Sequence, residues 1–91
     1  MKLCDRYGAS PHIVFRKEGK EGLLYDSRAG DIETLNETGL YIWTLCNGRN
    51  RVEDVVNKAK TRYRGNKGRI EKETKAFLKN LINSKFLEVY I

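Results

Sequence analysis

The chain predicts an α+β domain, a three-stranded antiparallel sheet followed by three helices. Three observations predict it. Short runs of strand character separated by glycine-bearing turns occupy the segment up to Leu35. The pattern switches from strand to helix at Leu35-Asn36. Two further stretches then repeat apolar residues at helical spacing.

His12 to Lys17 alternates loosely, with Ile13 and Phe15 on one side and Val14 opposite, and reads as the first strand. Glu18-Gly19-Lys20-Glu21-Gly22 has the composition of a hairpin connection. Leu23-Leu24-Tyr25-Asp26 forms the second strand, closed by Arg28-Ala29-Gly30-Asp31, and Ile32-Glu33-Thr34-Leu35 the third. Three such strands with one apolar face do not stand alone in water and need helices to cover them.

Asn36 stops the third strand and caps a helix, since its side chain can accept the free amide protons of the first turn. Leu40, Ile42, Trp43, Leu45 and Cys46 give that helix a broad buried face, and Gly48 supplies a left-handed cap. Asn50-Arg51-Val52-Glu53 has capping-box spacing, with Glu53 reaching back to the Asn50 amide. Val52, Val55, Val56, Ala59 and Tyr63 then mark a second amphipathic helix that ends near Arg64-Gly65. A basic turn from Gly65 to Gly68 leads to the third helix, with Ile70, Phe77, Leu78, Leu81 and Ile82. At about 100° per residue these five cover roughly 140°. That exceeds the stripe of about 100° that packs on one neighbour. The excess, at Leu78 and Ile82, is either the wall of a groove or the mark of a helix seated in a corner. Leu87 to Ile91 reads as a short terminal strand. The domain spans residues 11–91, and residues 1–10 read as an N-terminal tail.

Ninety-one residues allow one modest core and no lidded enzyme. A hydrophobic fraction of 40% against 33% charged residues excludes a disordered chain. No apolar run approaches the roughly 20 residues of a bilayer span, and the N-terminus lacks the apolar core of a secretion signal. A cytoplasmic location is the resulting expectation. Cys4 and Cys46 are too few and too far apart for a disulfide framework or a metal knuckle; Cys46 reads as a small core hydrophobe.

The net charge is +6, and all of the excess lies beyond residue 35. It is densest at Lys58, Lys60, Arg62, Arg64, Lys67, Arg69 and Lys72. This implies either an acidic partner, nucleic acid or peptide, or a solvated face that keeps a small domain soluble.

Catalytic signatures are missing: the chain has no Gly-rich phosphate loop, no H-E-x-x-H and no C-x-x-C. The single histidine, His12, has no sequence neighbour that nominates it as a base. Glu71 and Glu73, flanked by Lys72 and Lys75, read as solvated helix charges. The composition therefore argues against an enzyme and nominates no catalytic residue, metal ligand or cofactor.

Two motifs suggest a family. The run P-x-I-V-x-R-x-E-x(3)-G-L-L-Y-D from Pro11 to Asp26, with L-N-x-T-G-x-x-I-W-x-L-x-N-G from Leu35 to Gly48, resembles the coenzyme PQQ synthesis protein D (PqqD) family. F-L-x-x-L at Phe77 to Leu81 is similar too. The family's members, also called RiPP recognition elements, are winged-helix-like modules of three strands and three helices. The resemblance implies a non-catalytic chaperone that captures the leader segment of a ribosomally made precursor peptide by strand addition. It then presents the peptide to a modifying enzyme, often a radical SAM protein, in PQQ biosynthesis or another peptide pathway. Carried onto this chain, the leader pairs with Ile32, Glu33, Thr34 and Leu35, and its side chains face Lys75, Leu78, Lys79 and Ile82. Those lysines, with Lys85, would suit an acidic or amphipathic leader. One departure is Lys85, where the family usually has glycine; a left-handed lysine costs about 1 kcal/mol relative to glycine.

The rival reading is a winged-helix nucleic-acid-binding protein, with the second and third helices as a helix-turn-helix. Few base-reading groups on the third helix beyond Arg69, Asn80 and Asn83 count against it. A generic scaffold or subunit role is a third. An exposed third-strand edge also permits strand swapping into a homodimer.

Overall fold

The computed structural model describes residues 1–90. Six strands and three helices follow in the order β1 (Arg6–Ala9), β2 (Ile13–Glu18), β3 (Glu21–Asp26), β4 (Ile32–Leu35), α1 (Glu37–Leu45), β5 (Asn47–Arg51), α2 (Val52–Arg62), α3 (Lys67–Asn83) and β6 (Leu87–Tyr90). They make two antiparallel three-stranded sheets, β2-β3-β4 and β5-β1-β6.

The expected sheet is the meander β2-β3-β4. Its hairpin is tighter than the five-residue loop expected, because Glu18 pairs with Glu21 across Gly19-Lys20 alone. Gly19 takes φ 63°, the positive angle that a two-residue hairpin turn of type II′ needs at its first central position. Between β3 and β4 the turn is built on Asp26. Its Oδ1 accepts the Arg28 and Ala29 amides at 2.9 and 3.0 Å, and its own amide donates to the Asp31 carbonyl at 2.8 Å. Asp26 also lies 3.5 Å from His12 Nε2, a neighbour that the linear order of residues hides.

The second sheet is an addition to the expected architecture, and it corrects the boundary of the domain. Residues 1–10 are not a tail. Arg6–Ala9 is the central strand between β5 and β6, with Tyr7 opposite Val89 and Gly8 opposite Glu88. Tyr7 is 8% exposed and belongs to the core. The preceding residues also close the start of α2, whose first amides, on Val52 and Glu53, donate to the Asp5 and Leu3 carbonyls. The Tyr90 ring lies across Gly8 and Gly48, where any Cβ would fall within 2.4 to 2.5 Å of it. Gly48, at φ 81°, thus serves β5 rather than capping α1, which already ends at Leu45.

Asn36 caps α1 as expected, accepting the Gly39 amide at 2.8 Å. The capping box of α2 is displaced by one residue. Asp54, not Glu53, reaches back, to the Arg51 amide at 2.9 Å, because the helix begins at Val52. Asn66 caps α3 by accepting the Arg69 amide at 2.9 Å. At the other end of α3 the Phe86 amide donates to the Leu81 carbonyl and the Lys85 amide to that of Ile82, a Schellman closure with Lys85 at φ 65°. The lysine does take the left-handed conformation.

The core is one cluster. Leu24 and Leu35 from the first sheet meet Leu40, Ile42, Trp43 and Cys46 of α1, the valines of α2 and Leu78 and Leu81 of α3; Tyr7, Phe86 and Leu87 close it from the second sheet. Burial pushes the Cys46 thiol up to about 12, so it packs as a small hydrophobe and is not a reactive thiol.

Candidate functional site

A groove of about 640 Å³ opens between the end of β4, the start of α1 and the flank of α3. Backbone sets one side. β4 has a single strand neighbour, β3, so its far margin carries unpaired amides and carbonyls among the described residues. Thr34, Leu35 and Asn36 bring that margin to the groove, and Thr38, Gly39 and Ile42 of α1 continue the wall. Gly39 is what admits the third helix: a Cβ there would meet the Phe77 ring at 3.3 Å and the Asn36 Oδ1 at 3.2 Å. The T-G of the corner motif thus serves close packing as well as the cap. Ile70, Glu73, Thr74 and Phe77 form the α3 side, and Tyr63 and Arg64 close the end.

The structure brings only part of the expected set together. Ile32, Glu33, Thr34 and Leu35 all lie on the edge strand, as expected. Leu35 is buried, Glu33 half-buried, and Ile32 and Thr34 are exposed. Of the expected α3 residues, none borders the groove. Leu78 is 2% exposed and sits in the core; Ile82 packs against the core, half-buried. Lys75 donates to Glu71 Oε2 at 3.1 Å, and Lys79 is exposed. Glu71 also pairs with Lys60 of α2, so this margin of α3 is turned to the second helix. The two lysines, Lys60 foremost, hold the Glu71 carboxyl below the usual carboxylate range.

The wide apolar stripe on α3 therefore has two margins, and the groove lies along the other one. At about 100° per residue, Ile70 and Phe77 occupy one margin and Leu78 and Ile82 the other, with Leu81 between. The width of the stripe was the correct signal for two packing partners, but periodicity does not say which margin stays open.

Charge at the groove also differs from the expectation. Glu21 and Glu73 line it, and Arg64 is the one cation among the lining residues. Glu33 on the β4 edge and Asp31 just before it make no ion pair with any described residue. The basic cluster is meanwhile engaged with the fold. Lys60 pairs with Glu71 and Arg69 with Glu73, Lys67 donates to the Lys60 and Tyr63 carbonyls at the end of α2, and the Arg62 guanidinium lies 4.4 Å over the Tyr41 ring. Such a dispersed set is not the continuous stripe that tracks a phosphate backbone. No helix among the described residues is long and apolar enough to cross a membrane.

Comparison with known proteins bears on the fold and the family. The structure of "TbiB1 in Complex with the TbiA(beta) Leader Peptide" matches with a TM-score of 0.81 at 26% identity, over 92% of this chain and 98% of that one. "Lasso peptide synthetase B1 complexed with the leader peptide" matches with a TM-score of 0.80 at 19% identity, over 91% and 98%, a likeness of fold. No curated protein's sequence matches the chain significantly. The family described as coenzyme PQQ synthesis protein D (PqqD) matches residues 21–87, including all of the first sheet from β3 onward and all three helices. The chain belongs to the PqqD family.

Proposed function

We propose that this protein captures the leader segment of a ribosomally made precursor peptide and presents it to a modifying enzyme, such as a radical SAM protein. The leader adds as a fourth strand beside β4, and alternate side chains enter the groove against α3. The observation that carries this reading is the unpaired β4 margin beside an open, partly apolar groove. Family membership and the leader peptide held by TbiB1, a protein of the same fold, support it. The family also supports a role without catalysis.

The energetics are consistent. A strand added to a four-residue edge gains about four backbone hydrogen bonds, each netting about 0.5–1.5 kcal/mol. Micromolar affinity needs about 8 kcal/mol. Burying two aliphatic or aromatic side chains against Leu35, Ile42, Ile70 and Phe77, at about 1.5–3 kcal/mol each, closes the difference. The peptide-binding set proposed is therefore Ile32, Glu33, Thr34 and Leu35 with Gly39, Ile70, Thr74 and Phe77.

Candidate leader peptides titrated into isotope-labelled protein test the reading by NMR. Amide shifts are expected to cluster at Ile32 to Leu35, at Gly39 and along Ile70 to Phe77. Ile70→Asp, at a half-buried position, should retain the fold and weaken binding at least about tenfold. Full-strength binding by the folded variant would remove the groove from the model. The same margin can also accept a second copy of the chain, and leader binding that competes with dimer formation in sedimentation would identify that homodimer.

A further inference from the structure

The outer face of the first sheet carries an apolar row that stops at the open edge. Val14 pairs with Tyr25 and Tyr25 with Ile32, so the three side chains stand side by side across β2, β3 and β4. All three are exposed, and Ile32, the last of the row, is the most exposed at 61%. A lone exposed apolar residue requires no explanation, but an aligned row ending at an unpaired strand is a template for one more residue. On the inner face the register puts Phe15, Leu24 and Glu33 in a second row. There the edge residue is a half-buried carboxylate with no ion-pair partner among the described residues.

We infer that the free margin of β4 selects its peptide by a two-face code: an apolar side chain, β-branched or aromatic, beside Ile32, and a cationic one beside Glu33. The inference rests on the leader-capture reading and gives it a chemistry. Successive residues of an added strand point to opposite faces, so the two preferences fall on neighbouring positions of the leader. Continuing the row shields Ile32, Tyr25 and the incoming side chain from water together. A cation beside Glu33 answers a charge that the chain itself leaves unanswered, and Asp31, just before the strand, adds to the same field. The code thus asks for a leader that is locally basic at the edge strand. Of the basic residues of α2 and α3, Lys60, Arg62, Lys67, Arg69 and Lys75 find partners on the helices and not at the β4 edge.

The test is selection from a displayed library of random peptides on the full chain, on Ile32→Thr and on Glu33→Lys, followed by affinity measurement of the enriched peptides. Both substitutions are at the sheet edge and keep a residue that an edge strand accepts. The expected result for the unaltered chain is enrichment of an apolar residue adjacent to Lys or Arg. Ile32→Thr should relax the first preference alone, with loss of up to about fivefold in affinity for the apolar peptide. Glu33→Lys should reverse the second, favouring Asp or Glu at that position by a few-fold in a low-salt buffer. Peptides that bind at β4 with neither preference, or with preferences that the two substitutions leave unmoved, overturn the code while leaving leader capture intact. No enrichment at all, or enriched peptides whose amide shifts map away from Ile32 to Leu35, overturns both.

Discussion

Lys85 is the one described residue other than glycine with positive φ, and it sits where a helix closure favours glycine. Its conformation is forced by neighbours: the Schellman bonds on either side, the burial of Phe86 against the core, and the Ser10 hydroxyl donating to the Lys85 carbonyl at 3.0 Å. Lys85→Gly should therefore raise stability by about 1 kcal/mol, read as a higher urea midpoint at unchanged slope. Asp26 is a second residue whose surroundings decide its behaviour. The Ala29 amide, then that of Arg28, holds its carboxyl below the ordinary 3.8, against the opposing effect of burial. A carboxyl depressed by folding contributes stability that is present above the unfolded pKa and is lost as pH falls through the folded one. Urea midpoints should accordingly drop as pH is taken below about 4. Asp26→Asn keeps an oxygen acceptor for both amides but cannot titrate, and it should remove that part of the acid lability.

Among the elements, α3 carries the sharpest contrast, because its two margins meet different surroundings. Leu78→Ala should cost about 2–5 kcal/mol, since the side chain is enclosed by the core, whereas Lys79→Ala, one residue on, should stay within about 0.5 kcal/mol. Urea denaturation of the two variants measures this difference. The same helix marks the limit of what could be read from the chain alone. Its existence and its apolar stripe follow from local chemistry, as do the cap of α1 at Asn36 and the strands of the first sheet, whereas the position of Lys85 stood out only against the family pattern. The identity of the open margin depends on where Gly39 lets Phe77 approach and where Lys60 meets Glu71, which are contacts between distant segments. Residues 47–51, Asn-Gly-Arg-Asn-Arg, have the composition of a turn, and only pairing with β1 makes them a strand. The edge strand was legible because β4 follows a hairpin in sequence; which α3 residues border the groove beside it was not.

At the scale of the whole molecule, the first sheet with its groove depends on a second sheet that the N-terminal residues hold together. β1 lies between β5, which joins α1 to α2, and β6, which follows α3, so it ties the linker of the first two helices to the end of the third. Removing residues 1–9 would leave β5 and β6 without a shared neighbour and uncover the core where Tyr7 sits. It would also take the Leu3 and Asp5 carbonyls from the first amides of α2. A buried aromatic contributes about 1.5–3 kcal/mol, and each of several backbone bonds about 0.5–1.5 kcal/mol. Domains of this size have about 5–14 kcal/mol in total. The truncated chain should therefore unfold without cooperativity near room temperature and bind no leader peptide, although every groove residue remains in it. Circular dichroism melting and the dispersion of its amide NMR spectrum measure this. A truncated chain that melts cooperatively and still binds at β4 would mean that the first sheet and three helices stand alone, with β1 an accessory strand.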